Sequence, residues 1–147
     1  MTLRAFLFGS GDTSQSTDLG LLVLRVGVGL TMAFAHGLGK IPPSEGFIGA
    51  IGMLGFPVPV VFAWAAALSE FLGGLFIAVG VLTRPAAVML AVTMAVARFV
   101  QHGADPFADG ELALVYLFAA AALAFTGAGR YSIDQMFWRR TATLERL

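Results

Sequence analysis

An all-α bundle of four membrane-spanning helices is the fold this sequence predicts, and three observations predict it. Apolar residues make up 58 % of the chain and charged residues 12 %, against about 45–50 % and about 25 % in soluble domains. The apolar residues gather into four runs, each near the roughly 17–25 residues that a spanning helix needs. Pro, Gly and charged residues punctuate the gaps between the runs, where a chain turns. In a chain of 147 residues so little charge cannot cover so much apolar surface in water.

The elements follow in order. The opening stretch, MTLRAFLFGSGDTSQSTD, holds one apolar piece, Ala5–Phe8. That is too short for the core of a signal peptide, so the first long apolar run is expected to insert and stay. The first span is predicted over Leu19–Leu38, behind an Asp18 or Thr17 cap. PPSEGFIGAIGMLGFP comes next and sets Phe47, Ile48, Ile51 and Leu54 on one helical face, with Ser44 as a cap. It is expected to lie as a short interfacial helix over one end of the bundle. The second span is predicted over Val58–Leu82, opened by Pro57 and Pro59. The third runs over Pro85–His102, with proline in a tolerated first-turn position. The fourth runs over Glu111–Ala128 and stops at GAGR. RYSIDQMFWRR then places Tyr131, Phe137 and Trp138 among arginines, the composition of a headgroup layer. The domain reading is a terminal segment at 1–16, a transmembrane domain at 17–138 and a tail at 139–147.

Charge excludes some functions and orients the chain. The net charge is zero, which makes no electrostatic case for nucleic acid. Cysteine is absent, so thiolate metal sites, iron–sulfur ligation and dithiol chemistry would have to belong to a partner. Arg4, Arg84, Arg130, Arg139, Arg140 and Arg146 share one side of a four-span topology, and only Lys40 lies on the other. The positive-inside rule then expects both termini in the cytoplasm of a bacterial cell, with the protein in the inner membrane.

The chemistry-bearing residues lie inside the spans. Glu70 sits near the middle of the second, about 18 Å from either end at 1.5 Å per residue. A central charge costs about 2.5–3.5 kcal/mol on the insertion scale, so it should face protein and find a partner. Ala63, Ala66, Ala67, Gly73 and Gly74 lie three, four or seven residues from it and make a small-residue face for a close helix. Arg25, Gly29, Met32 and His36 share a face of the first span, and Met94, Arg98 and His102 a face of the third. By depth, Arg98 is the expected counter-ion of Glu70, with Arg25 nearer the terminal side. His36, His102, Glu111 and Lys40 gather toward the other end, with Tyr116 a turn or so deeper. Together they predict a polar pocket floored by a buried Glu–Arg pair. Glu70, Arg98 and Glu111 are the candidate catalytic groups, and Arg25, His36, Lys40, Glu70, Arg98 and His102 the candidate ligand-binding set. A pair of this kind serves equally well to lock helix register. Each histidine alone more often caps a helix, and no H-x-x-x-H or E-x-x-H spacing marks a metal site. An HG dipeptide closes both the first and third spans, at His36 and His102, a faint internal echo.

LRVGVGLTMAFAHGLGK, SEFLGGLFIAVGVLTRPAA and ELALVYLFAAAALAFTGAGRYSID together resemble the DoxX family of small bacterial membrane proteins, over roughly Leu19–Asp134. The resemblance carries the motif positions Arg25, His36, Gly37, Lys40, Glu70, Gly73, Gly74, Arg84, His102, Glu111 and Asp134. It implies a four-helix membrane protein, in some members linked to quinone-dependent thiosulfate oxidation or to complexes handling thiol or oxidative stress. Quinone carbonyls want donors, which Arg98, His36 or His102 could supply, and reduction wants protons, which Glu70 or Glu111 could relay. The chain holds no redox centre of its own, so the expectation is a quinone-side subunit beside an oxidoreductase partner. The rival readings are a non-enzymatic scaffold and a small oligomeric transporter. Gly27, Gly29 and Ala33 would pack within or between subunits alike.

Overall fold

Residues 14–137 are described by a computed structural model. Most of the segments expected at 1–16 and all of that at 139–147, with Trp138, lie outside the described residues. Helix α1 runs Gln15–Thr31 and continues through a π-helical turn, Met32–Gly37, into a 3₁₀ turn, Leu38–Lys40. Helix α2 is Glu45–Met53, α3 is Pro59–Val79, and α4 is Thr83–Val96 followed by a second π turn, Ala97–Gln101. Helix α5 is Phe107–Thr126. Four of these units are long and apolar enough to cross a bilayer, and no strand occurs among the described residues. The all-α four-span expectation holds.

One cap differs from expectation. Ser14 caps α1 by accepting from the Thr17 amide at 3.3 Å. Asp18, expected to cap, is instead buried and accepts from the Arg130 amide at 2.9 Å. The helix therefore starts a turn earlier than the hydropathy suggests, because a polar turn is held by tertiary contact. Ser44 caps α2 as expected, accepting from the Phe47 amide at 3.2 Å. Helix α5 begins at Phe107, so Glu111 falls inside it rather than opening it.

Backbone contact sets how α1 and α3 cross. A Cβ on Gly29 would overlap the Gly74 carbonyl oxygen and lie 2.7 Å from the Ala78 nitrogen. A Cβ on Gly74 would lie 2.8 Å from the Gly29 carbonyl oxygen, and one on Gly37 would strike the backbone of Glu70 and Phe71. Small residues at Gly29, Ala33 and Gly37 thus let the two backbones touch, as membrane helices do when packing rather than hydrophobicity joins them. Met32, Ile77, Leu90, Met94 and Leu123 fill the core between the four spans.

The end at which the described residues begin and end is tied by polar groups. Asp134 is buried and accepts from the amides of Leu82 and Thr83 at 2.8 and 2.9 Å. Leu82 is held at φ 46, a left-handed conformation that side chains disfavour, and this carboxylate secures it at the start of α4. Arg25 is 0 % exposed and donates to the carbonyls of Ile77 and Ala78 at 3.2 and 3.1 Å, and to that of Tyr131. The orphan carbonyls at the end of α3 are thereby satisfied by a cation, which the helix dipole also favours.

Candidate functional site

At the opposite end, four helices enclose a cavity of about 200 Å³. Its floor is Met32, Glu70 and Met94; His36 and Tyr116 form one wall, and Lys40, Gln101, His102 and Asp109 the rim. Helix-face arithmetic brings most of these together. Met32, His36 and Lys40 recur every four residues on α1, and the π turn between them keeps all three pointing inward.

The ion pair differs from expectation in its cation. Lys40 Nζ lies 2.7 Å from Glu70 Oε1 and 2.6 Å from Oε2, and Arg98 is not the partner. Glu70 is 3 % exposed, while the Lys40 side chain is 34 % exposed. The reason is an offset between helix ends. Gly37 abuts Glu70 directly, so Lys40 is one turn above the carboxylate even though α3 continues eleven residues further to Pro59. A lysine stem spans that turn easily and lowers its ammonium into the cavity. The Phe47 ring of α2 lies 5.3 Å from the same ammonium, close enough for cation–π attraction.

The other candidates separate. Arg98 turns toward α5 and packs its guanidinium near Phe99 and Phe107, while its Nη1 donates to the His102 carbonyl at the end of its own π turn at 3.0 Å. It supports the turn that presents His102 but does not line the cavity. Glu111 is exposed on α5, and Asp109 stands at the rim in its place. Arg25 belongs to the polar-tied end described above. His36 meets Tyr116 edge to face, with centroids 5.6 Å apart and planes at 76°. Tyr116 Oη donates to Thr31 Oγ1 at 3.0 Å. His102 Nδ1 pairs with Asp105 Oδ2 at 2.9 Å. Among the described residues no group of three or more His, Asp or Glu side chains is placed to hold a metal.

The two HG dipeptides acquire a structural counterpart. Each follows or overlaps a π turn, in helices that run in the same direction, and both turns face the cavity. Single π turns are rare and concentrate at functional sites. Nothing in the hydropathy of the spans signals them.

Comparison with known proteins places the chain in a family. The model of the DoxX family matches residues 20–103. The chain belongs to the DoxX family. CatD of Bacillus subtilis (strain 168), whose name assigns it provisionally to the oxidoreductases, is 31 % identical over 86 % of this chain and 92 % of its own length. YqjF of Escherichia coli (strain K12), named an inner membrane protein, is 35 % identical over 81 % of this chain and 92 % of its own. No solved structure matches at a significant level. The DoxX match covers Arg25, His36, Lys40, Glu70, Arg98 and His102, but ends before Asp109 and Tyr116. The cavity is thus built mainly from the family's segment, with α5 supplying the remaining wall.

Proposed function

We propose that this DoxX protein binds the ring of a quinone in the cavity and serves as the quinone-side membrane subunit of an oxidoreductase assembly. One observation carries the reading: an ammonium held at two points by a buried carboxylate, inside a cavity sized for a ring. Lys40 has three N–H donors, and Glu70 engages it through two oxygens. A donor therefore remains for a ligand oxygen, already placed and already charge-balanced. A net anion would compete with Glu70 for Lys40, and a cation would compete with Lys40 for Glu70. A neutral ring with carbonyl acceptors competes with neither. At about 200 Å³ the space is below the roughly 300–1,000 Å³ of drug-sized sites, so a ring fits and a long tail stays outside. His36, His102 and Tyr116 add polar tips around the ring, and Met32 and Met94 supply adaptable apolar contact below it.

The oxidoreductase wording in CatD's name and the membrane wording in YqjF's support the wider assignment. Sulfur, thiol or oxidative-stress substrates would then be handled by a partner, since this chain has no cysteine. The bacterial inner membrane with cytoplasmic termini is the location that the arginine asymmetry supports.

The experiment is mass spectrometry of the purified protein for co-purifying quinone, together with its thermal stability when short-chain quinone is added. Binding at a hundredfold excess over Kd stabilises by about 2.7 kcal/mol. A shift in the parent that is absent in Glu70→Gln/Lys40→Met is expected; no quinone and no shift would reject the site. A scaffold role is the second reading, favoured by the polar ties of Arg25 and Asp134. It predicts that the double variant changes no ligand-dependent property.

A further inference from the structure

A second, larger cavity of about 360 Å³ lies between α3 and α4 and shares no lining residue with the first. On α3 it is walled by Phe62, Ala66 and Ser69, three or four residues apart, while Glu70 turns to the other cavity. On α4 Val88, Val92 and Val96 line it at steps of four, a run of about 12 Å at 1.5 Å per residue. Ile51 of α2 roofs it, and Phe56, whose ring lies 4.8 Å from that of Phe62, closes it toward α2.

The polarity of this groove is used up internally. Its hydroxyls, Ser69 and Thr93, lie 3.1 Å apart, and Thr93 Oγ1 is also 3.1 Å from the Met89 carbonyl. The remaining lining side chains are all apolar. The rim at Met89 and Val92 is 53 % and 59 % exposed in a span that hydrocarbon surrounds, so the groove is continuous with the lipid-facing surface.

We propose that this groove is a defined site for one acyl chain of a membrane phospholipid, entering sideways past Met89 and Val92 and lying beneath α2. Helix α2 lines the groove through Ile51 and sets the Phe47 ring 5.3 Å from the Lys40 ammonium. A chain in the groove therefore supports the helix that flanks the Lys40–Glu70 pair.

The test uses the full-length protein in phosphatidylcholine vesicles doped with a phosphatidylcholine carrying a mid-chain diazirine. After illumination, adducts are mapped by peptide mass spectrometry. Adducts on residues 62–69 and 88–96 should exceed, several-fold, those around Val115 and Phe118 of α5, which are 57 % and 65 % exposed to the same lipid. Ala65→Phe, at an exposed wall position, should lower the groove adducts to the α5 level with unchanged elution and helix content. Val92→Phe provides a second filling if the first misfolds. Equal labelling of the two faces in the parent, or labelling undiminished in a folded filled variant, would overturn the proposal. So would efficient disulfide formation between copies of Val92→Cys, which would place a second copy in the groove.

Discussion

Burying Glu70 at bilayer depth is tolerable because Lys40 neutralises it, and this dependence can be measured. Removing one partner of a buried pair leaves an uncompensated charge and costs about 3–5 kcal/mol, whereas replacing both is often neutral. Lys40→Met should lower stability by about that amount in a denaturant titration in detergent, and Lys40→Met/Glu70→Gln should recover most of it. If the single and double variants lose equally, the pair does not carry the energy assigned to it. Asp134 makes a separate prediction. Its removal orphans the amides of Leu82 and Thr83, at about 1–3 kcal/mol for a buried unsatisfied group. Asp134→Ala should be the more damaging change and Asp134→Asn, which keeps an acceptor, the milder one. These residues were unevenly legible. Glu70 announces itself as a charge within an apolar run, but Lys40 reads as a loop charge because sequence cannot show that α1 ends a full two turns below the start of α3. Asp134 stood out only through the family resemblance, since its acceptor role depends on a fold-back of the chain.

At the scale of elements, α1 offers a controlled comparison between two glycines two residues apart. A Cβ at Gly29 meets the backbone of α3, while one at Gly27 meets nothing within 4 Å. Gly29→Ala should therefore disrupt the α1–α3 crossing and lower both yield and melting temperature. Gly27→Ala should be neutral or stabilising by up to about 1 kcal/mol, the usual gain for Ala over Gly within a helix. A thermal melt of the two variants side by side decides it, and equal losses would contradict the crossing geometry. The spans themselves were readable because hydropathy over some twenty residues is a strong signal. The π turns were not, since they rest on one inserted residue in each helix. The second of them re-phases α4 so that Gln101 and His102 line the cavity while Arg98 swings to α5, which is why steps of four misplace that arginine.

For the whole molecule, polarity is divided between the two ends. One end is closed by Arg25, Asp18 and Asp134, and the other holds the cavity. The arginine asymmetry predicts which end faces the cytoplasm, and the absence of cysteine makes the prediction easy to check. A membrane-impermeant maleimide should label Ser44→Cys on intact spheroplasts and Ser16→Cys only after permeabilisation; the reverse pattern would invert the topology. This large-scale division was visible in the sequence as the gathering of His36, Lys40 and His102 away from the arginine-rich side. What could not be seen was that Arg25 and Glu70, both buried, serve opposite ends. The central claim, that the cavity lined by Lys40 and Glu70 takes a quinone ring, is tested most directly by photolabelling with an azidoquinone and mapping the adducts. Label on the segments around His36 and Tyr116, lost in Lys40→Met/Glu70→Gln, is the predicted result. Label elsewhere, or label indifferent to that double change, would contradict it.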